Sequence, residues 1–129
     1  MLRTGILNPS LLQLIARIRH TNTLVIADRG FPFWPEIEMI DLSLVDDVPT
    51  VAQVVMALRI NFVIGRAFAA EEFLKANSPG KNAAWLAALG DTPIAYEPHV
   101  EFKKRVPRAI GLIRTGDTTQ YANLILESA

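Results

Sequence analysis

The sequence predicts an α/β protein: a single layered αβα domain over residues 1–129, with a mixed, largely parallel sheet of about six strands. Three observations carry this. Short apolar runs of strand length alternate with stretches whose apolar residues recur at helical spacing. Half of the 129 residues are hydrophobic and mean hydropathy is +0.25, enough for a sizeable core without metal or disulfide staples. No internal repeat, low-complexity tract or linker divides the chain, and its length fits one domain.

The elements follow in order. Asn8 can cap a helix and Pro9 suits its first position, after which Leu11, Leu12, Leu14, Ile15 and Ile18 form an apolar stripe. This helix is expected to run to Arg19-His20, with Thr21-Asn22 as a turn. Residues 24–27 form a buried strand closed by Asp28-Arg29-Gly30. Phe31-Pro32-Phe33-Trp34-Pro35 is a loop of aromatics and prolines that suits a ligand wall, a subunit contact or core filling. A second strand is expected at 37–42, and a helix at 51–58 capped by Thr50. A third strand covers 62–69. Glu71-Glu72 opens a helix at the end where carboxylates are favoured. Ser78-Pro79-Gly80 interrupts it, and another helix is expected over 82–89, stopped by Gly90. A strand at 94–96, a helix at 100–105 and strands at 109–114 and 122–126 complete the chain. The last two enclose a run of hydrogen-bonding side chains between Thr115 and Asn123, which reads either as a plain hairpin loop or as a frame for a small polyol.

Composition excludes much. Lys plus Arg equals Asp plus Glu, 13 each, so charge makes no argument for nucleic acid or an anionic membrane. With no cysteine there is no disulfide, thiolate chemistry or cysteine zinc site. Two histidines, His20 and His99, do not make a His-rich metal site, and no metal or cofactor is expected. No apolar stretch approaches membrane-spanning length, and the first residues lack the pattern of a signal peptide; a cytoplasmic protein is the expectation. Nucleophile elbows, HExxH, GxGxxG and phosphate-binding loops are absent.

What remains is a set of titratable groups at the ends of predicted elements: His20, Asp28, Glu97 and His99. A histidine can take and give a proton near neutral pH, a carboxylate can orient it, and hydroxyls and amides can hold a polyol. Such a set suffices for an isomerisation by proton transfer. It is also what surface and capping residues look like.

The order of blocks along the chain resembles the D-ribose pyranase / L-fucose mutarotase family of sugar-ring isomerases. The resemblance runs through His20 with the strand closing at Asp28-Arg29-Gly30, Ile40-Asp41-Leu42, Val48-Pro49-Thr50, Ala70-Glu71-Glu72, His99 to Lys103, Ile113-Arg114-Thr115-Gly116-Asp117, and Tyr121-Ala122-Asn123. The His99 and Tyr121-Ala122-Asn123 blocks are nearer the ribose branch. The chain departs at Asp117, where Glu is usual, at the bulkier Phe33-Trp34, and in a shorter stretch between Lys75 and Thr92. The resemblance implies a cofactor-free isomerase interconverting pyranose and furanose forms, with anomeric exchange as a further reading, of a monosaccharide such as ribose or fucose. It implies His20 as catalytic acid and base, with Asp28, His99, Tyr121, Ala122 and Asn123 contacting substrate. It also implies a homo-oligomer with sites between subunits, often a decamer. A non-catalytic sugar-binding or transport-accessory protein, or an assembly subunit without ligand, would present the same scaffold.

Overall fold

The computed structural model describes residues 1–3 and 5–129. Its centre is a six-stranded sheet in the order β2-β5-β1-β6-β3-β4. The strands are β1 (Thr23–Ala27), β2 (Glu38–Asp41), β3 (Ile64–Ala70), β4 (Ile94–Glu97), β5 (Gly111–Arg114) and β6 (Leu124–Ser128). All neighbours run parallel except β6, which is antiparallel to both β1 and β3. The helices are α1 (Pro9–Ile15), α2 (Val51–Arg59), α3 (Glu71–Ala76), α4 (Pro79–Leu89) and α5 (His99–Arg105), followed by a short 3-10 turn at Val106–Arg108.

The sheet divides the core in two because strand side chains alternate between faces. Leu24, Ile26, Ala67, Ala69, Ile113, Leu124 and Leu126 face one side, where they meet Leu11, Leu14, Val55, Leu58, Phe73 and Trp85 from the first four helices. Val25, Ala27, Phe68, Leu112 and Ile125 face the other and meet Phe31, Phe102, Val106 and Ala109. The αβα layering expected from the sequence is what forms, with α5 and its 3-10 turn as the thinner outer layer.

Local chemistry sets the boundaries. Asn8 Oδ1 accepts the Leu11 N–H, and Thr50 forms a reciprocal capping box with Gln53. Several boundaries differ from expectation, among them the starts of the third and fifth strands, which begin at Ile64 and Gly111 rather than at residues 62 and 109, and four have a local cause. The first helix ends at Ile15 rather than near His20: Arg17 and Ile18 bond three residues back, tightening the last turn so the chain can leave for β1. The fourth helix starts at Pro79 rather than residue 82, since proline fits the first helical turn, where its N–H is not needed. The fifth starts at His99 because a Glu72 carboxylate accepts the His99 N–H at 2.9 Å. The last strand begins at Leu124 rather than residue 122, since the segment before it is turned by Tyr121 at φ +55°.

The segment between β5 and β6 is not a hairpin loop. Its strands do not pair; β1 lies between them. The polar run crosses over the end of β1, and this brings it to Asp28. Gly116 makes the crossing possible: a Cβ there would lie 2.3 Å from the Val45 carbonyl oxygen. Among the described residues, no helix is long and apolar enough to cross a membrane.

Candidate active site

In a mixed sheet, loops at the carboxyl ends of parallel strands gather on one edge, where ligands collect. Here β1 ends just before Asp28 and β4 ends two residues before His99. Because β6 runs the other way, its beginning lies at the same edge, so Tyr121, Ala122 and Asn123 arrive beside Asp28.

Asp28 and Asn123 form a reciprocal pair. The Asp28 N–H donates to Asn123 Oδ1 at 2.8 Å, and Asn123 Nδ2 donates to Asp28 Oδ2 at 3.0 Å. The Gly30 N–H donates to the other carboxylate oxygen at 2.9 Å. Asn123 is buried, at 2% exposure, so it acts as a fixed bracket rather than a free side chain. Burial raises the Asp28 pKa above its ordinary value, and the bonds from Asn123 and Gly30 only partly oppose this.

His99 stands across the cleft at the first position of α5. Its ring lies against Phe102 at 5.9 Å and meets Tyr121 edge-on at 5.2 Å. Its backbone is held by Glu72. Its Nδ1 is buried and has no hydrogen-bond partner. Burial, reinforced by the nearby Lys103 charge, lowers its pKa from the ordinary value and so disfavours the charged ring. An imidazole whose charged form is disfavoured, lining the same cleft as a carboxylate, is suited to a hydroxyl-bearing ligand.

These groups line a cavity of about 300 Å³ together with Gly30, Phe31, Pro32, Lys103 and Gln120. That is the lower end of the size range for small-molecule sites. A larger cavity of about 450 Å³ opens at the other edge of the sheet, between Arg59, Val63 and Asp91, and none of the predicted site residues lines it. We assign the site to the smaller cavity because the convergent polar groups are there.

Of the six predicted residues, Asp28, His99, Tyr121 and Asn123 come together. Ala122 is fully buried and packs into the core, so its side chain does not face the cleft. His20 lies elsewhere. It precedes β1, whereas Asp28 follows it, so the length of the strand, roughly 16 Å at about 3.3 Å per residue, separates them. Its Nδ1 instead contacts the Ala129 oxygen at 2.6 Å. Sequence reasoning overlooked Lys103 and Glu72 as parts of the site. Lys103 was findable, since it lies four residues beyond His99 and so on the same helix face. The Glu72 contact joins two helices 27 residues apart and carries no local signal. Among the described residues, no three His, Asp or Glu side chains cluster closely enough to hold a metal ion.

A mixed sheet with an acid, a histidine and an amide gathered at its carboxyl edge defines an α/β protein with a polar cleft of small-molecule size. The chain belongs to the RbsD / FucU transport protein family, whose family model matches residues 1–129. It is 41% identical to the D-ribose pyranase of Geobacillus thermodenitrificans over 128 residues, 99% of this chain and 96% of that one. Bacillus subtilis RbsD, solved in complex with D-ribose, superposes with a TM-score of 0.92 at 33% identity, covering 100% of this chain and 98% of that one. The fucose mutarotase of Streptococcus pneumoniae, solved with L-fucose, shares the fold at a TM-score of 0.80 and 19% identity, covering 95% and 92%.

Proposed function

We propose that this protein is a sugar-ring isomerase that interconverts pyranose and furanose forms of a monosaccharide, with D-ribose as the first candidate. The observation that carries this is the near full-length similarity to D-ribose pyranases, 39% and 41% identical over 99% of this chain. The cleft between Asp28 and His99 is chemically suited to the task.

The reaction needs no net change in atoms or electrons. The anomeric hydroxyl loses its proton, the bond between C1 and the ring oxygen breaks, and that oxygen gains a proton. The open aldehyde then recloses on a different hydroxyl. We assign the proton transfers to His20, with Asp28 and His99 holding sugar hydroxyls and Tyr121 and Asn123 closing the cleft. The distance between His20 and Asp28 within one chain supports a site shared between two copies. His20 of one subunit then faces the cleft of its neighbour in a homo-oligomer, for which a decamer is the size we propose. We place this assembly in the cytoplasm.

Saturation-difference NMR on ribose, reading exchange between ring forms, tests both parts. His20→Ala should lose roughly 10²- to 10⁴-fold in exchange rate while keeping its fold. Subunits carrying His20→Ala, mixed and reassembled with subunits carrying Asp28→Asn, should recover part of the activity. Full activity of His20→Ala would sink its catalytic role, and no recovery on mixing would sink the shared site. A sugar-binding protein without catalysis would saturate with ribose and leave the exchange rate at its buffer value.

A further inference from the structure

We propose that Ala129 is a positioning residue for His20: its oxygen holds the imidazole as the Nδ1–H tautomer and leaves Nε2 to exchange protons with the sugar. This inference rests on the assignment of His20 as the proton carrier. An oxygen at 2.6 Å from Nδ1 can only accept, so the ring must donate through Nδ1. A neutral imidazole has one N–H, and Nε2 is then the free lone pair. Second partners commonly select the tautomer of a working histidine in this way.

The contact is built from both sides. His20 sits in a turn closed by Asn22, whose N–H donates to the Arg19 carbonyl at 3.1 Å while its Oδ1 accepts the Arg19 N–H at 2.9 Å. The next residue, Thr21, has φ +63°, a conformation unfavourable for a β-branched side chain. Its N–H gains the Ser128 carbonyl at 3.1 Å, and the Ser128 N–H donates to the Asn22 carbonyl at 2.9 Å. On the other side, the Ala129 N–H donates to Val63 at 3.0 Å. Ala129 also packs over Gly65, where a Cβ would lie 3.1 Å from its Cα. The strained turn and the missing side chain at residue 65 both serve to bring residues 20 and 129 together.

The test reads the ring nitrogens of His20 by two-bond ¹⁵N–¹H correlation in the assembled protein, and again after removal of Ala129. The expected result is the Nδ1–H tautomer in the full chain and loss of its dominance in the shortened one. The kcat for ring exchange should fall roughly tenfold with KM unchanged, the lower end of what such partners contribute. Where removal of Ala129 impairs folding, Gly65→Val keeps the residue but crowds it away from His20, and the same two readouts apply. A dominant Nε2–H form in the full chain, or an unchanged tautomer in a folded variant, overturns the proposal. Full activity in His20→Ala would instead overturn the catalytic assignment on which it rests, whatever the tautomer.

Discussion

Replacing Asn123 by alanine should damage the fold and the site together. Asn123 is buried and joined to Asp28 by two bonds, one from the Asp28 backbone N–H and one to its carboxylate. Removing the amide leaves that N–H without its acceptor and strips the carboxylate of a charge-assisted bond. A buried donor left unpaired costs about 1–3 kcal/mol, but Asp28 is only half-buried and water reaches part of it, so we take roughly 2–3 kcal/mol for both losses. At about 4 °C per kcal/mol for a domain of this size, the melting temperature should fall by roughly 8–12 °C. Burial, no longer opposed by this bond, should raise the Asp28 pKa further. Because the lost bond is strongest to the ionised form, the gap between wild type and variant should narrow as pH falls through the carboxylate range. Thermal melts across pH, with the Asp28 carboxyl followed by ¹³C NMR, measure both effects. An unchanged melting temperature and an unchanged Asp28 titration would refute the idea that Asn123 is the bracket of this site.

His99 should give the fold a pH dependence. Its folded pKa is depressed, so below about 6.5 the unfolded chain binds more protons and stability is lost as pH falls from there toward the folded value. His99→Asn should flatten that part of the melting curve against pH. Asp117→Ala should destabilise by about 2–4 kcal/mol in chemical denaturation, because this buried carboxylate accepts the Val51 and Thr119 N–H groups at 2.9 Å each and so caps α2 while fixing the loop before Tyr121. Gly116→Ala should fail to reach the native crossing, with loss of folded protein in a far-UV melt, because backbone rather than a flexible side chain occupies the Cβ position.

The elements themselves were largely legible because their signals are local. Pro9, Thr50 and Gly90 mark helix ends by chemistry that acts within a few residues, and the apolar runs at β1, β3 and β6 mark buried strands. Strand order was not legible. Nothing in residues 113–126 says that β1 will lie between β5 and β6, since adjacency in sequence favours a hairpin and only the packing of the whole sheet decides otherwise. The same limit governed the site. Asp28, His99 and Asn123 could be nominated as polar residues at element ends, but their meeting depends on the antiparallel insertion of β6. Ala122 carries no side-chain signal at all, and its burial in the core follows only from the turn at Tyr121.

That insertion also relates the two parts of the proposed machinery. β6 begins beside the candidate cleft, where Asn123 brackets Asp28, and Ala129 follows its far end, where it contacts His20. Had β6 run parallel to β1, Asn123 would lie at the opposite edge from Asp28. One antiparallel strand therefore supports Asp28 through Asn123 at one edge of the sheet and contacts His20, the proposed proton carrier, through Ala129 at the other. Within one subunit those edges face apart, and a cleft on one edge can meet a histidine on the other only when copies pack edge to edge. With His20 as the proposed proton carrier, assembly is a requirement of the chemistry: isolated subunits should retain the Asp28 and His99 cleft, bind ribose weakly and leave its ring-form exchange at the buffer rate. Dilution with exchange followed by NMR and mass followed by light scattering would separate the two states. Unchanged activity per subunit in a preparation shown to be monomeric would overturn the shared site.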